Sequence, residues 1–249
     1  MFKSKKRLAA QIGILVVTVL FALGAHRFFA PMAVAENWSS DLRITWVGTT
    51  KDQNPDIVLV TITEDTLSSL PYRSPVDRAF LATILKSMQK AGPRVVGFDF
   101  LFDQPTEEEK DSLFRQIALD MPFPVIVGWA DPVNGLTNRQ YSFQKEYLDG
   151  ISAGYSILPK NKSDGTVRFT YRPKMEEGQF RRGSAPLMAE HLGLDTPREF
   201  LRLVYQKSPE DQTIKTFRSF PAHSMLIPQI AKWVKDKIVL VGADLPHKD

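Results

Sequence analysis

A chain of 249 residues with 43% hydrophobic and 24% charged residues has an ordinary globular composition, with room for one large domain or two small ones, so disorder is excluded as its default state. Its formal charge of +4 rests on Lys3, Lys5, Lys6 and Arg7: without these four, 28 basic residues face 28 acidic ones, and nothing demands the sustained basic surface of a nucleic-acid binder. The absence of cysteine excludes disulfide scaffolds, thiol catalysis and thiolate metal sites.

Residues 1–7 form a basic tail, and Leu8 to Phe29 is long and apolar enough to cross a bilayer, so a transmembrane helix is expected over residues 8–30. Cations before it and Glu36 and Asp41 after it place the N-terminus in the cytoplasm and the rest outside. Ala33-Val34-Ala35 has the small-x-small form of a signal-peptide cleavage site, the competing reading, but the run exceeds a signal-peptide core. Residues 31–52 read as a juxtamembrane helix and linker, with Trp38, Leu42 and Trp46 on one helical face; Trp38 also suits the interfacial aromatic belt.

Residues 53–249 read as one extracytoplasmic α/β domain with a mainly parallel sheet plus an antiparallel hairpin. Ile57–Ile62 is a strand. A helix follows, with Ser74 as cap and Pro75 in its first position, ending at Gly92-Pro93. Val95–Phe102, broken only by Asp99, is a strand covered on both faces, and Val125–Gly128 is another. Between them a helix runs from Thr106 to about Leu119, with Glu107, Glu108 and Glu109 in its positive first turn. Tyr155–Leu158 and Val167–Tyr171 flank the turn-forming Asn161–Gly165 as a hairpin. Pro186–Leu192 and Pro197–Tyr205 read as helices, and Ile238–Gly242 as a last strand that rejoins the sheet.

The order of these pieces resembles the CHASE type-two family of extracellular sensing domains. The resemblance is carried by Asp41-Leu42-Arg43, Ile57–Leu67, Pro71–Arg78, Val95–Phe102, Ser163–Arg168 and Lys237–Gly242. It implies a sensory input domain in a bacterial inner membrane, with the domain on the periplasmic side. The output would be cytoplasmic: an adenylate or guanylate cyclase first, then a histidine kinase, then a serine/threonine kinase. Where such domains carry an Ile-Asp pair after the first strand, this chain has Ile62-Thr63-Glu64-Asp65.

Ligands of open α/β sheets bind beyond the C-terminal strand ends, where loops and helix N-termini converge. The candidates there are Thr63, Glu64 and Asp65, then Asp99 and Asp103, then Trp129 beside Asp131, with Arg73 and Arg78 supplying positive charge. Asp99 and one of Thr63, Glu64 and Asp65 are expected to share a cavity, because consecutive strand ends adjoin in a βαβ unit. Turn-forming and helix-capping roles compete for the same carboxylates.

Asp244, His247 and Asp249 read as a solvated segment rather than a metal cage, and no cofactor motif is present. No complete catalytic constellation stands out either. The expected partners are the membrane, a second copy of the chain as a homodimer, and an unidentified small-molecule or protein signal. An anchored periplasmic hydrolase using the acidic rim, or an envelope interaction module, are the rival readings.

Overall fold

The computed structural model describes residues 11–21, 30–176, 179–196, 201–211 and 213–245, and the chain divides into two compact units, residues 1–50 with 204–207 and residues 51–203 with 208–249.

In the first unit residues 11–21 are helical, and helix α1 spans Ala30–Val47. Of the expected span over 8–30, residues 8–10 and 22–29 lie outside the described residues, and among those described no helix is long and apolar enough to cross a membrane. The stripe expected on α1 is helical as read, and Trp38 and Trp46 are 66% and 78% exposed.

The second unit is an α/β layer structure. Its strands are β1 (Asn54–Ile62), β2 (Val95–Leu101), β3 (Val125–Trp129), β4 (Ser152–Tyr155), β5 (Lys174–Glu176), β6 (Gln179–Arg181), β7 (Phe217–Pro221) and β8 (Ile238–Ala243). Six of them form one parallel sheet in the order β4-β3-β2-β8-β1-β7, while β5 and β6 make a separate antiparallel pair. The helices are α2 (Glu64–Ser68), α3 (Arg78–Gln89), α4 (Glu108–Leu119), α5 (Asn138–Tyr147), α6 (Ser184–His191) and α7 (Pro228–Ala231).

Inward positions of β1 and β8, namely Val58, Val60, Ile62, Val239 and Val241, join Val96 and Phe98 in the main core with Leu81, Leu85, Met88 and Phe114 of α3 and α4. On the opposite face Met188 of α6 covers Val95 and Ile126. This two-sided cover explains why Val95–Phe98 is fully buried and shows no alternation.

Several expectations need correction. Helix α3 is capped by Asp77 rather than Ser74: the Asp77 carboxylate accepts from Phe80 N at 2.9 Å and is itself held by Lys110 Nζ at 2.6 Å, so Ser74 and Pro75 remain in the loop. The hairpin is displaced. Tyr155 ends the parallel strand β4, the turn at residues 161–165 closes only one antiparallel bridge, Lys160 to Val167, and the antiparallel strands are β5 and β6. Residues 201–205 are not helical, with Arg202 bridged to Phe169; residues 197–200 of that expected helix lie outside the described set. Strand β7 is unanticipated, and its terminal Pro221 is tolerable because β7 is an edge strand.

The β2–β3 pairing passes from Phe98↔Val127 directly to Leu101↔Gly128, so Asp99 and Phe100 form a bulge in β2. A Cβ on Gly128 would collide with the Phe100 carbonyl oxygen and lie 2.8 Å from Ser156 Oγ. Because the obstruction is strand backbone, Gly128→Ala should destabilise the unit by about 1–3 kcal/mol, the usual range for overpacking. Chemical denaturation followed by circular dichroism checks this, and a wild-type midpoint would show that the bulge yields freely.

Candidate functional site

The C-terminal edge of the sheet does not gather the expected residues into one place. Thr63 caps α2, its Oγ1 accepting from Thr66 N at 3.3 Å. Glu64 pairs with Arg73 at 2.7 Å on the surface, a contact worth little in water, and Asp65 is exposed. Asp99 is exposed above Gly242 of β8. The adjacency expected between the ends of β1 and β2 fails because β8 is hydrogen-bonded to both and stands between them.

Arg78 and Asp103 are brought together. They line a cavity of about 160 Å³ between the loop before α3 and the end of β2. Arg78 is 2% exposed, and its guanidinium lies 4.3 Å from the Phe102 ring centre and 5.2 Å from that of Tyr147. Its Nη2 donates to the Gln104 carbonyl at 3.0 Å, its Nε lies 3.7 Å from Asp111 Oδ1, and its Nη1 is buried with no hydrogen-bond partner among the described residues. Burial pushes the Arg78 pKa down, against the opposing pull of Tyr147, Asp111 and Asp103. The same burial pushes the Tyr147 phenol up to about 12. Asp111 is fixed by Thr106, whose N and Oγ1 donate at 2.8 and 2.6 Å, and Asp103 accepts from Gln140 Nε2 at 2.7 Å. Arg78 thus ties the starts of α3 and α4 to the end of β2, which makes it first a clamp.

Trp129 belongs to a different and larger cavity of about 700 Å³, bounded by α5, the approach to β4 and Arg181. The Arg181 guanidinium stacks 3.6 Å over the Trp129 ring, and Tyr141 meets Trp129 edge-on at 5.8 Å. Trp129 is 1% exposed and its Nε1–H has no hydrogen-bond partner among the described residues, which is unusual for a buried indole. Lys145, Glu146 and Asp149 add both signs of charge to the lining. Tyr141, Lys145 and Arg181 were not foreseeable, since the first two come from α5 and the third from β6, distant segments that form no local motif.

Beside it, Asp131 is buried at the end of β3. It accepts from the Tyr155 hydroxyl at 3.1 Å and from Asn134 N at 3.1 Å, and pairs with Lys174. Tyr155 stacks on Tyr171 with ring centres 3.7 Å apart. Burial alone would raise the Asp131 pKa, but the bonds from Lys174 and Tyr155 outweigh it and hold the carboxyl below its ordinary value.

Ser152 Oγ lies 3.1 Å from His191 Nε2, yet His191 makes no other bond among the described residues, so this pair lacks the third group that orients a catalytic base. No group of His, Asp and Glu that could hold a metal occurs among the described residues; the end of the Asp244–Asp249 segment lies outside them.

The model of the CHASE2 domain family matches residues 12–248, nearly the whole chain. The chain belongs to the CHASE2 domain family. CHASE2 domains are extracellular sensory domains of signalling proteins. Neither the curated proteins nor the solved structures include a match to this chain. In this CHASE2 domain the smaller cavity lies at the end of β2, where parallel sheets commonly bind ligands, while the larger one runs from Trp129 along α5 to the start of β4.

Removing the Asp131 charge tests how this rim is held. Asp131→Asn should cost about 1–2 kcal/mol at pH 7, below the value for a fully buried pair because the Lys174 side chain is 38% exposed. A depressed carboxyl stabilises the fold above its unfolded pKa of about 4, and the contribution fades as pH falls through the lower folded value. Urea melts should therefore separate wild type from variant at pH 7 and bring them together as the pH falls below the lowered folded value. A gap that persists unchanged would assign the loss to packing.

Proposed function

We propose that this chain is the extracytoplasmic sensory input of a membrane-anchored signalling receptor. The observation that carries this is its membership of an extracellular sensory family over residues 12–248. Residues 8–30 serve as the anchor, with the sensor outside and the output inside. The output is a nucleotide cyclase in the first instance and a histidine kinase in the second. Fusing alkaline phosphatase or a cytoplasm-dependent fluorescent protein after Asp249 of the full chain tests the orientation. Active phosphatase supports the reading, and a fluorescent fusion with inactive phosphatase removes it.

The signal is a small polar solute held in the cavity beside Trp129. Its volume of about 700 Å³ is in the range of small-molecule sites, and its lining offers cations, carboxylates and aromatic faces together. A solute with a hydrogen-bond acceptor near the ring edge would satisfy Trp129 Nε1, whose lack of a partner is otherwise a cost. Ser142 lies on the exposed side of α5 and lines this cavity. A metabolite that raises the thermal midpoint of wild type should lose that effect in Ser142→Trp, which fills the space from outside the core. Equal shifts in both proteins would place the ligand elsewhere.

The receptor acts as a homodimer whose α1 helices lie side by side. Paired helices can rotate or slide between discrete packings and so carry a small movement to a dimeric output. The exposure of Trp38 and Trp46 supports this, since an apolar stripe left in water seeks a partner. Cysteines introduced singly at Asn37, Asp41 and Thr45 should crosslink in membranes at one position at least. A signalling receptor that crosslinks at none of them would rule out paired α1 helices.

A further inference from the structure

The opposite edge of the sheet, where its strands begin, has a different character. Between Lys86 and Arg94, at the end of α3 and the start of β2, there are three cations and no acid. Between Met225 and Lys237, ahead of β8, there are three more cations and one acid, Asp236. The two segments adjoin, because Arg94 N donates to the Lys237 carbonyl at 2.8 Å and Asp236 N to that of Gly92 at 3.0 Å. Six cations therefore share this edge, and none of the six makes an ion pair among the described residues.

Three of these cations, Lys86, Lys90 and Lys232, rim a groove of about 570 Å³ between α3 and α7 whose floor is apolar, including Met225, Leu226, Pro228 and Ala231. Beside it Leu226, Ile227 and Trp233 are 46%, 47% and 52% exposed. Lysines in the last turn of α3 answer the helix dipole and need no further reason. That account does not reach Lys232, which comes from another segment, nor the three half-exposed apolar side chains beside it, of which Trp233 carries the Arg218 guanidinium 4.1 Å over its ring.

We propose that this edge docks on the anionic surface of the phospholipid bilayer that anchors the chain. The lysines meet lipid phosphates, and Leu226, Ile227 and Trp233 enter the headgroup boundary beside the groove. The combination is that of interfacial segments: aliphatic and indole side chains for the acyl boundary, with lysines that keep their charge at headgroup level while their stems lie along apolar surface. The inference rests on the membrane-anchored reading above. It adds that the sensor unit has a preferred face toward the membrane, so lipid charge enters its regulation.

The test uses the full chain in nanodiscs of phosphatidylcholine alone or mixed with phosphatidylglycerol, read by amide hydrogen exchange. Peptides covering residues 222–237 and 86–94 should exchange about tenfold more slowly with the anionic lipid, an effect reduced by salt. Combining Lys86→Gln, Lys90→Gln and Lys232→Gln should abolish the protection while leaving the thermal melt in place. Trp233→Ala should weaken it. Equal exchange in both lipids overturns the proposal, as does full protection in the triple variant. Protection produced by polyglutamate in uncharged discs, and absent with anionic lipid, overturns it in favour of an acidic protein partner. If the chain does not enter discs at all, it is the anchor that fails. Flotation of the same chain with phosphatidylglycerol vesicles then decides the patch, binding supporting it and its absence overturning it.

Discussion

The sensor unit depends on one insertion. β8, the last strand of the sheet, pairs with β1 along Ile57–Ile62 on one side and with β2 along Val95–Phe98 on the other, so β1 and β2 meet only through it. Val239 and Val241 are fully buried and complete the core under α3 and α4. Without β8, β1 and β2 have no strand in common. The loop that this pairing closes spans nearly the whole unit, which raises the contact order and the entropy cost of forming the central contact. The geometry of the rim follows from the same insertion. By separating the ends of β1 and β2 it scatters the acidic residues after them, and it leaves the usable concavities farther along the sheet, beside β2 and β3.

Arg78 is the second constraint. A guanidinium enclosed by Phe102 and Tyr147 loses most of its hydration, and the Gln104 carbonyl, Asp111 and Asp103 return only part of it. What it gains is position. Its contacts reach the end of β2, the first turn of α4 and the last residue of α5, and α5 is also a wall of the Trp129 cavity. A solute that shifted α5 would therefore press on the clamp as well as on its own pocket. These contacts run without a break from the cavity wall to the end of β2, and the bulge there brings Asp99 beside Gly242 of β8.

Much of the fold was legible because buried parallel strands write themselves as apolar runs: Ile57–Ile62, Val95–Phe98, Val125–Gly128 and Ile238–Val241 all reappear in the sheet. The edge strands were not. Ser152-Ala153-Gly154-Tyr155 and Phe217-Arg218-Ser219-Phe220-Pro221 have little hydrophobic signal, being held by one neighbour each. The alternation in Val167–Tyr171 is real but has another cause: Arg168 is buried against Asp164, with 2.6 Å between Nη2 and Oδ2, and the segment pairs with residues near 202 rather than folding back as a hairpin. At the site, Arg78, Asp103 and Trp129 could be anticipated because each stands at the end of a strand or the start of a helix. Their neighbours could not, because a cavity assembled from α5, the approach to β4 and β6 has no linear signature. Nor could the separation of Asp99 from Thr63, which depends on where a distant strand inserts.

A tally of charges conceals how they are arranged. Beyond the first seven residues the chain is neutral, yet Glu64, Asp65, Asp99, Asp103 and Glu107–Glu109 lie where strands end, while Lys86, Lys90, Arg94, Lys232, Lys235 and Lys237 lie where strands begin. Part of this separation is a consequence of topology. Crossover helices in a parallel sheet all start at the same edge, so their dipoles add, and acidic first turns with basic last turns are favoured in each. Helix α3 ends in Lys86 and Lys90, and α4 opens with Glu108, Glu109 and Asp111, though Asp120 at the end of α4 breaks the rule. The cations before β8 belong to no long helix and are not demanded by any dipole. They add to the helix-dipole polarity of the fold, whereas the acids at the opposite edge are partly paired, Glu64 with Arg73, and both Asp77 and Glu107 with Lys110. The cations before β8, unpaired among the described residues, leave charge free for long-range attraction, unlike the paired acids of the opposite rim, and this asymmetry is what the proposed docking of that edge on an anionic surface requires.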